Sequence, residues 1–254
     1  MKKQHILSVF SLFMVVSLLE TLSRSGVVHP LLIPPPTKVL TALGRMLLEG
    51  SFWSDVQASL SRQFVGLCVG VVLGSLCGLI CGRSAICRAL LNPLIQPLRP
   101  IPAVALVPFI MVCFGLDNTS KIVSVSIGVF FPVWLNTYIG AASIPQMLLW
   151  HARLLTNSSY RLFQKVVFPA TLPFITAGIR TGIAISFIMV FVSENTAGSD
   201  GLGYRISMMV AVLRTDEAMA GLVVLGTLGA LSDYLFTRGA HFVFPWLRLS
   251  QNGA

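Results

Sequence analysis

The sequence predicts an all-α protein of the polytopic membrane class, a bundle of about six transmembrane helices. Only 11% of its 254 residues are charged and 55% are hydrophobic, with a mean hydropathy of +0.82; an average soluble domain carries roughly 25% charged residues. The apolar residues gather into separate runs near the length of about 20 that spans a bilayer. Most of the 18 Lys and Arg residues fall between those runs, the distribution of the positive-inside bias. They form no long basic patch, so the net charge of +9 points to a lipid bilayer and not to nucleic acid.

The first run, Ile6 to Leu22, follows Lys2 and Lys3 and reads as a retained signal-anchor helix. Pro34, Pro35 and Pro36 then stop any helix, and Thr37 is placed to cap a new one running to about Glu49. Leu40, Leu43 and Leu47 give that segment an apolar face for lying along the outer surface. Residues 1–57 are thus a transmembrane helix plus a periplasmic amphipathic segment.

The second run, about Ser59 to Cys81, has glycines at 66, 70, 74, 78 and 82, one every four residues. They form a stripe on which a neighbouring helix approaches closely, a packing device and not a ligand site. Next comes NPLIQPLRPIPAVALVP, with five prolines. A proline lacks the N–H an undisturbed helix needs, so the third run is expected to be kinked and to face the bundle interior, where broken backbone is tolerated. The fourth run, Ile122 to Ile139, contains Pro132 and Asn136. The fifth, Phe174 to Ser193, has Arg180 between Gly178 and Gly182, and the sixth is about Met219 to Phe236. Residues 58–238 read as one membrane domain and 239–254 as a cytoplasmic tail.

Between the fourth and fifth runs lies Pro145 to Pro173, PQMLLWHARLLTNSSYRLFQKVVFPATLP, with Arg153, Arg161 and Lys165 and no carboxylate. Leu148, Ala152 and Leu155 fall on one helical face, and Trp150, Arg153 and Asn157 on another. Ser158 can cap a second turn that pairs Tyr160 with Phe163, and Pro169 and Pro173 are expected to end it before the next span. The pattern also fits an interfacial helix on anionic lipid. Taking this stretch with both tails and residues 83–88 as one side gives nine Lys/Arg and no carboxylate. The other side has seven Lys/Arg and six carboxylates. The positive-inside bias therefore puts both termini and the 145–173 stretch in the cytoplasm.

Nothing in the sequence supplies a reactive cluster. GxxxxGK[ST], GxSxG and HExxH are absent, so neither nucleotide binding nor catalysis is expected of this chain. The five cysteines have no metal-ligand spacing and the four histidines are scattered; no cofactor and no metal are expected. The charges in the membrane zone are Glu20, Arg99, Arg180, Glu194 and Asp233, and such residues are costly and functional by default. Glu20 and Asp233 lie near helix ends and can reach water. Arg99 and Arg180 either attract an anion in a water-filled pathway or reach the inner headgroups. Glu194 either caps loop backbone or lines a gate. With Asn136, the last three form the candidate pathway set.

Several blocks in combination resemble one family: LIPPPTKVLTAL, ASLSRQFVGLCVGVVLGSLCGLICGRS, NPLIQPLRPIPAVALVPFIMVCFGLDNTSKI, FFPVWLNT and YRLFQKVVFPATLPFITAGIRTGIAISFIMVFVSENTAGSDGLGYRI. From about residue 31 to 238 the chain resembles the membrane permeases of binding-protein-dependent ABC importers, in the nitrate/sulfonate/taurine group. The resemblance implies a type I permease fold with 58–238 as its permease domain, in a bacterial cytoplasmic membrane. It also implies a second permease subunit, here a homodimer, two cytoplasmic ATPase subunits, and a periplasmic or lipid-anchored solute-binding protein. The implied function is ATP-driven import of a small anion or zwitterion, such as nitrate, an aliphatic sulfonate or taurine, with hydrolysis on the partner. A secondary transporter or channel is the alternative; it predicts inverted repeats and midplane coupling charges, which the sequence lacks.

The resemblance also assigns 145–173 as the loop that docks on the ATPase. The family pattern begins Glu-Ala-Ala, has a glycine some residues on and ends Leu-Pro. Aligned on Leu172-Pro173, Trp150 stands at the Glu position, His151 and Ala152 at the two Ala positions, and Thr156 at the glycine. The implied coupling residues are Trp150, His151, Ala152, Arg153, Thr156, Tyr160, Phe163, Pro169 and Pro173.

Overall fold

The computed structural model describes residues 2–25, 32–98 and 100–245, and all regular structure among them is helical. Four helices are long and apolar enough to cross a bilayer: Gly50–Arg83, Asn118–Ala142, Ser159–Ala197 and Thr215–Val243. The bent pair Ala85–Leu98 and Ala103–Phe114, which turns by 87° at its break, makes a fifth if its two halves count as one broken span and not as a re-entrant loop. The expected count of about six adds the opening helix. The chain forms two compact units, one of Met1–Ser59 and Gly198–Thr227, the other of Leu60–Ala197 and Leu228–Ala254.

The first unit holds α1 (Lys2–Arg24), α2 (Pro36–Met46), the start of α3 (Gly50–Arg83), α10 (Leu202–Ala211) and the start of α11 (Thr215–Val243). Pro36 occupies the first turn of α2 and Pro35 precedes it, because a fixed φ and a missing N–H suit that position. Thr37 is therefore not the cap the sequence suggested. Its backbone N–H and its hydroxyl both donate to the Glu20 carboxylate of α1, at 3.1 and 2.8 Å. Glu20 also accepts from Arg24 at 2.6 Å. The start of α10 is satisfied from α3: Gly201 N–H donates to Asp55 at 2.9 Å and Leu202 N–H to Ser59 at 2.8 Å. Gly201 has φ of +102°, which glycine adopts without steric cost. Arg205 then clamps the junction, donating to Asp55, Glu49 and Ser51 at 2.8–2.9 Å. Burial alone would lower the pKa of that guanidinium, but the hydrogen bonds to Glu49 and Asp55 outweigh it and hold it above the ordinary value.

The second unit is built around α6 (Asn118–Ala142). The five-glycine stripe of α3 lies directly on it. A Cβ at Gly66, Gly70, Gly78 or Gly82 would stand 2.5–2.7 Å from Val125, Val129, Thr137 or Ala141, and one at Gly74 would stand 3.0 Å from Val133. The α6 partners are themselves four residues apart, so the two helices meet along matched i, i+4 rows. Between helices in lipid, such packing supplies what hydrophobic association supplies in water. The other side of α6 meets α9 (Phe168–Ala197), with Gly128 on Met189, Gly140 on Phe174 and Gly182 on Val129. Val125, Val129, Val133, Met189 and Val190 are all buried there, and Trp134 is 1% exposed.

The proline-rich third run is broken as expected, into α4 (Ala85–Ile95) and α5 (Val107–Phe114). Its expected inward orientation holds only for α5, whose Val107, Ile110 and Met111 are buried; α4 has no buried residue. The five prolines between 93 and 108 turn the chain, so only its later half packs on α6. Arg88 folds back from α4 to donate to the last carbonyls of α3, Cys81 at 3.3 Å and Gly82 at 3.1 Å, a cation placed at a helix C-terminus.

Candidate functional site

The 145–173 stretch forms α7 (Gln146–Leu155), a short link, and α8 (Ser159–Leu162), which passes through a wide π turn at Phe163–Val167 into α9. Pro145 precedes α7 and fixes its phase. The residue turned inward is Leu149, 4% exposed and packed with Ile144 and Val167. Leu148 and Leu155, placed with Ala152 on one apolar face by their spacing, are 45% and 88% exposed. Ala152 is half-buried, and Trp150, His151 and Arg153 are exposed. Met147, Trp150 and Leu154 thus stand on one outward face, at 63%, 60% and 84% exposure.

Thr156, at the position of the family glycine, ends α7 in an extended conformation with φ of −157° and ψ of 131°. Any residue adopts that backbone, so this turn has no need of glycine. Its hydroxyl accepts from Ser158 N–H at 3.3 Å, and Ser158 accepts from Arg161 N–H at 3.4 Å. Two grooves of about 220 and about 300 Å³ share Thr156 and Leu162. The first is lined by Arg153 and Ser158 and the second by Arg161 and Lys165. Tyr160 is exposed, and the ring of Phe163 lies 6.3 Å from that of Phe168.

Pro169 and Pro173 do not end the second helix. The helix runs from Ser159 to Ala197 through both. A proline ring clashes with the carbonyl four residues earlier, and for Pro169 that carbonyl belongs to Lys165, inside the π turn. The wider turn, in which Phe168 N–H donates to Phe163, makes room for it.

The candidate pathway residues do not converge. Arg99 lies outside the described residues. Asn136 donates to Pro132 O on its own helix at 2.8 Å and its Cβ adjoins Gly178 of α9. Arg180 makes two parallel hydrogen bonds, 2.9 and 3.0 Å, to Asp233 of α11; Asp233 is therefore a partner in a pair, where the sequence suggested a carboxylate reaching for water. Glu194 stands roughly 21 Å further along α9, at about 1.5 Å per residue. It is fully buried and accepts from Arg62 of α3 at 2.7 Å.

Arg62 is the residue that sequence reasoning missed. It is 3% exposed and also donates to Asn118 at 2.7 Å. Its neighbour Gln63 donates to Ser186 at 2.9 Å, and Lys121, in the same first turn of α6 as Asn118, is 2% exposed. A buried charge must be paired and hydrogen-bonded, and this group ties α3, α6 and α9 at one end. A cue was present: an Arg-Gln pair set four residues before the first stripe glycine, on the same helical face.

Residues 70–248 match the family described as binding-protein-dependent transport system inner membrane component. The chain is 28% identical over 251 residues to the taurine transport system permease protein TauC of Escherichia coli, covering 97% of this chain and 91% of that one. It is 30% identical over 197 residues to the nitrate import permease protein NrtB of Leptolyngbya laminosa, covering 78% and 70%. Among solved structures it resembles the MetNI methionine ABC transporter, with a TM-score of 0.60 and 22% identity over 75% of this chain and 94% of that one. That likeness concerns the fold, and it matches the helical architecture above. The chain belongs to the inner membrane components of binding-protein-dependent transport systems, multi-pass permeases that work with a solute-binding protein and an ATPase.

Proposed function

We propose that this chain forms the translocation pathway for a small oxyanion or zwitterion of the organosulfonate, taurine or nitrate type, driven by ATP hydrolysis on a partner. The observation that carries the substrate class is the naming of its relatives for taurine and nitrate. The working assembly is a homodimer of the permease with two ATPase subunits and a periplasmic or lipid-anchored binding protein. Both termini and the α7–α8 loop are cytoplasmic, consistent with nine cations and no carboxylate on that side. The test is uptake into vesicles holding the permease, its ATPase and its binding protein, using radiolabelled taurine, an alkanesulfonate and nitrate. ATP-dependent accumulation of at least one is expected. Accumulation that persists without the ATPase, or none of the three taken up, would overturn it.

Within that assembly the outward face of α7 contacts the ATPase, with Trp150 filling its groove and Arg153, Arg161 and Lys165 around it. Aromatic anchors dominate such interfaces and are worth about 2 kcal/mol or more. Trp150→Ala is therefore expected to weaken ATPase co-purification roughly thirtyfold, and Trp150→Glu at least as much. Co-purification that survives both substitutions would refute the contact. ATPase closure would then tilt the bundle through the continuous α8–α9 helix and alternate access to the pathway.

A further inference from the structure

α4 presents two different faces and buries neither. Ile86, Leu90 and Leu94 stand at 73%, 67% and 65% exposure along one side, a row spaced for lipid. Arg88, Asn92 and Gln96, also four apart, line a groove of about 390 Å³ with Ala89 and Pro93 as its small floor. A polar row on a helix in a membrane span is costly unless it faces water or protein. The groove is open to the outside of the chain, near the lower end of the roughly 300–1,000 Å³ range of small-molecule sites.

Its chemistry has one sign. The lining offers a guanidinium and two carboxamides, and no carboxylate lines it among the described residues. Arg88 is fixed by its bonds to the end of α3 and lies 5.8 Å over the Tyr138 ring, so its charge is held at one end of the row. The side-chain oxygen of Asn92 is covered and has no hydrogen-bond partner among the described residues. That oxygen is an acceptor turned away from the groove, so what Asn92 offers an anion is the donor end of its amide, the NH2.

We infer that this row is a low-affinity oxyanion subsite of the translocation pathway, with Asn92 and Gln96 donating to sulfonate or nitrate oxygens above the fixed charge of Arg88. The inference rests on the transport reading above and deepens it. Neutral amides suit a pathway, because they replace part of the anion's hydration while the fixed charge stays at one end of the row.

Opposite charges at one position test it. In vesicles carrying the full assembly, Gln96→Glu is expected to lower uptake of radiolabelled taurine or nitrate at least roughly tenfold, and Gln96→Lys to keep uptake within about threefold of the parent, since only the first repels an anion. Asn92→Leu is expected to raise the half-saturating concentration of binding protein-delivered solute roughly tenfold by removing a donor, with ATPase co-purification unchanged. Equal loss in Gln96→Glu and Gln96→Lys would mean a packed surface, such as a contact with the second permease copy, and would overturn the subsite. Parental uptake in all three variants would overturn it as well. If the parent itself transports none of the probes, the substrate class fails; if the parent transports and the two charges act alike, only the subsite fails.

Discussion

Helix α9 carries two arginine–carboxylate pairs, and they differ in almost everything except their chemistry. Arg62 and Glu194 are 3% and 0% exposed, and Arg62 has a further acceptor in Asn118. Arg180 and Asp233 are 46% and 36% exposed and meet edge-on through two parallel bonds. The first pair has given up its water and is held by three helices. The second has closer to ideal geometry yet stays open on its outer side. Desolvation therefore sets their roles: losing either member of the enclosed pair removes a counter-charge from a site without water, whereas the open pair can be parted by anything that offers each charge a substitute.

The largest expected effect tests the enclosed pair. Arg62→Leu or Glu194→Leu alone should destabilise the permease by about 3–5 kcal/mol, the usual cost of breaking a buried ion pair by removing one side. The double variant should recover a good part of that, because two apolar side chains of similar bulk need no partner. Unfolding of the four proteins in detergent by denaturant gives the cycle. Additive losses in the double variant would show that the two residues do not act as a pair.

The contrast also shows what the sequence could and could not carry. The glycine stripe was legible because its meaning is local: one residue in four needs only a neighbour close by, and α6 supplies it. Glu194 was legible as a charge at the end of an apolar run. Its partner was not, since Arg62 sits 132 positions away in a polar helix entry that reads as ordinary membrane-edge sequence. Asp233 failed similarly, 53 positions from Arg180. The loop failed by phase. Four of the ten α7 residues are leucines, so periodicity admits several inward faces, and the entry at Pro145 chose Leu149. Pro169 reads as a stop because a π turn, which accommodates a proline without ending the helix, leaves no compositional mark; Pro173 lies beyond that turn and is carried inside α9.

A middle-sized effect is expected where stripe and pair adjoin. Gly66 is one turn beyond Arg62, and a Cβ there would stand 2.6 Å from Val125 and 3.0 Å from the Ile122 carbonyl. Gly66→Ala must push α3 off α6, at a cost of about 1–3 kcal/mol for an overpacked site. The shift would also loosen the Arg62–Glu194 bond, so the cost should shrink in the double-leucine background. Gly226→Ala, whose Cβ would meet nothing within 4 Å, is the control; it should gain a few tenths of a kcal/mol to about 1 kcal/mol from helix propensity. Equal effects of the two alanines on unfolding would remove close packing from the account.

The open pair should give the smallest change in stability and the most informative change in transport. If its outer side faces a water-filled pathway, Arg180→Gln and Asp233→Asn should each cost no more than about 1 kcal/mol, as for solvated pairs. If it faces hydrocarbon, each leaves an isolated charge in lipid, at about 2.5–3.5 kcal/mol near a helix centre. The pathway value is expected, because charges left 46% and 36% exposed within a span are costly against hydrocarbon and normally face protein or a water-filled cavity. Uptake then separates steering from tying. A steering Arg180 predicts that Arg180→Gln raises the half-saturating solute concentration, while Asp233→Asn, which frees the cation, leaves it equal or lower. A mere tie predicts equal losses from both, with the exchange Arg180→Asp plus Asp233→Arg restoring uptake. Unchanged uptake and concentration dependence in Arg180→Gln would take Arg180 out of the pathway.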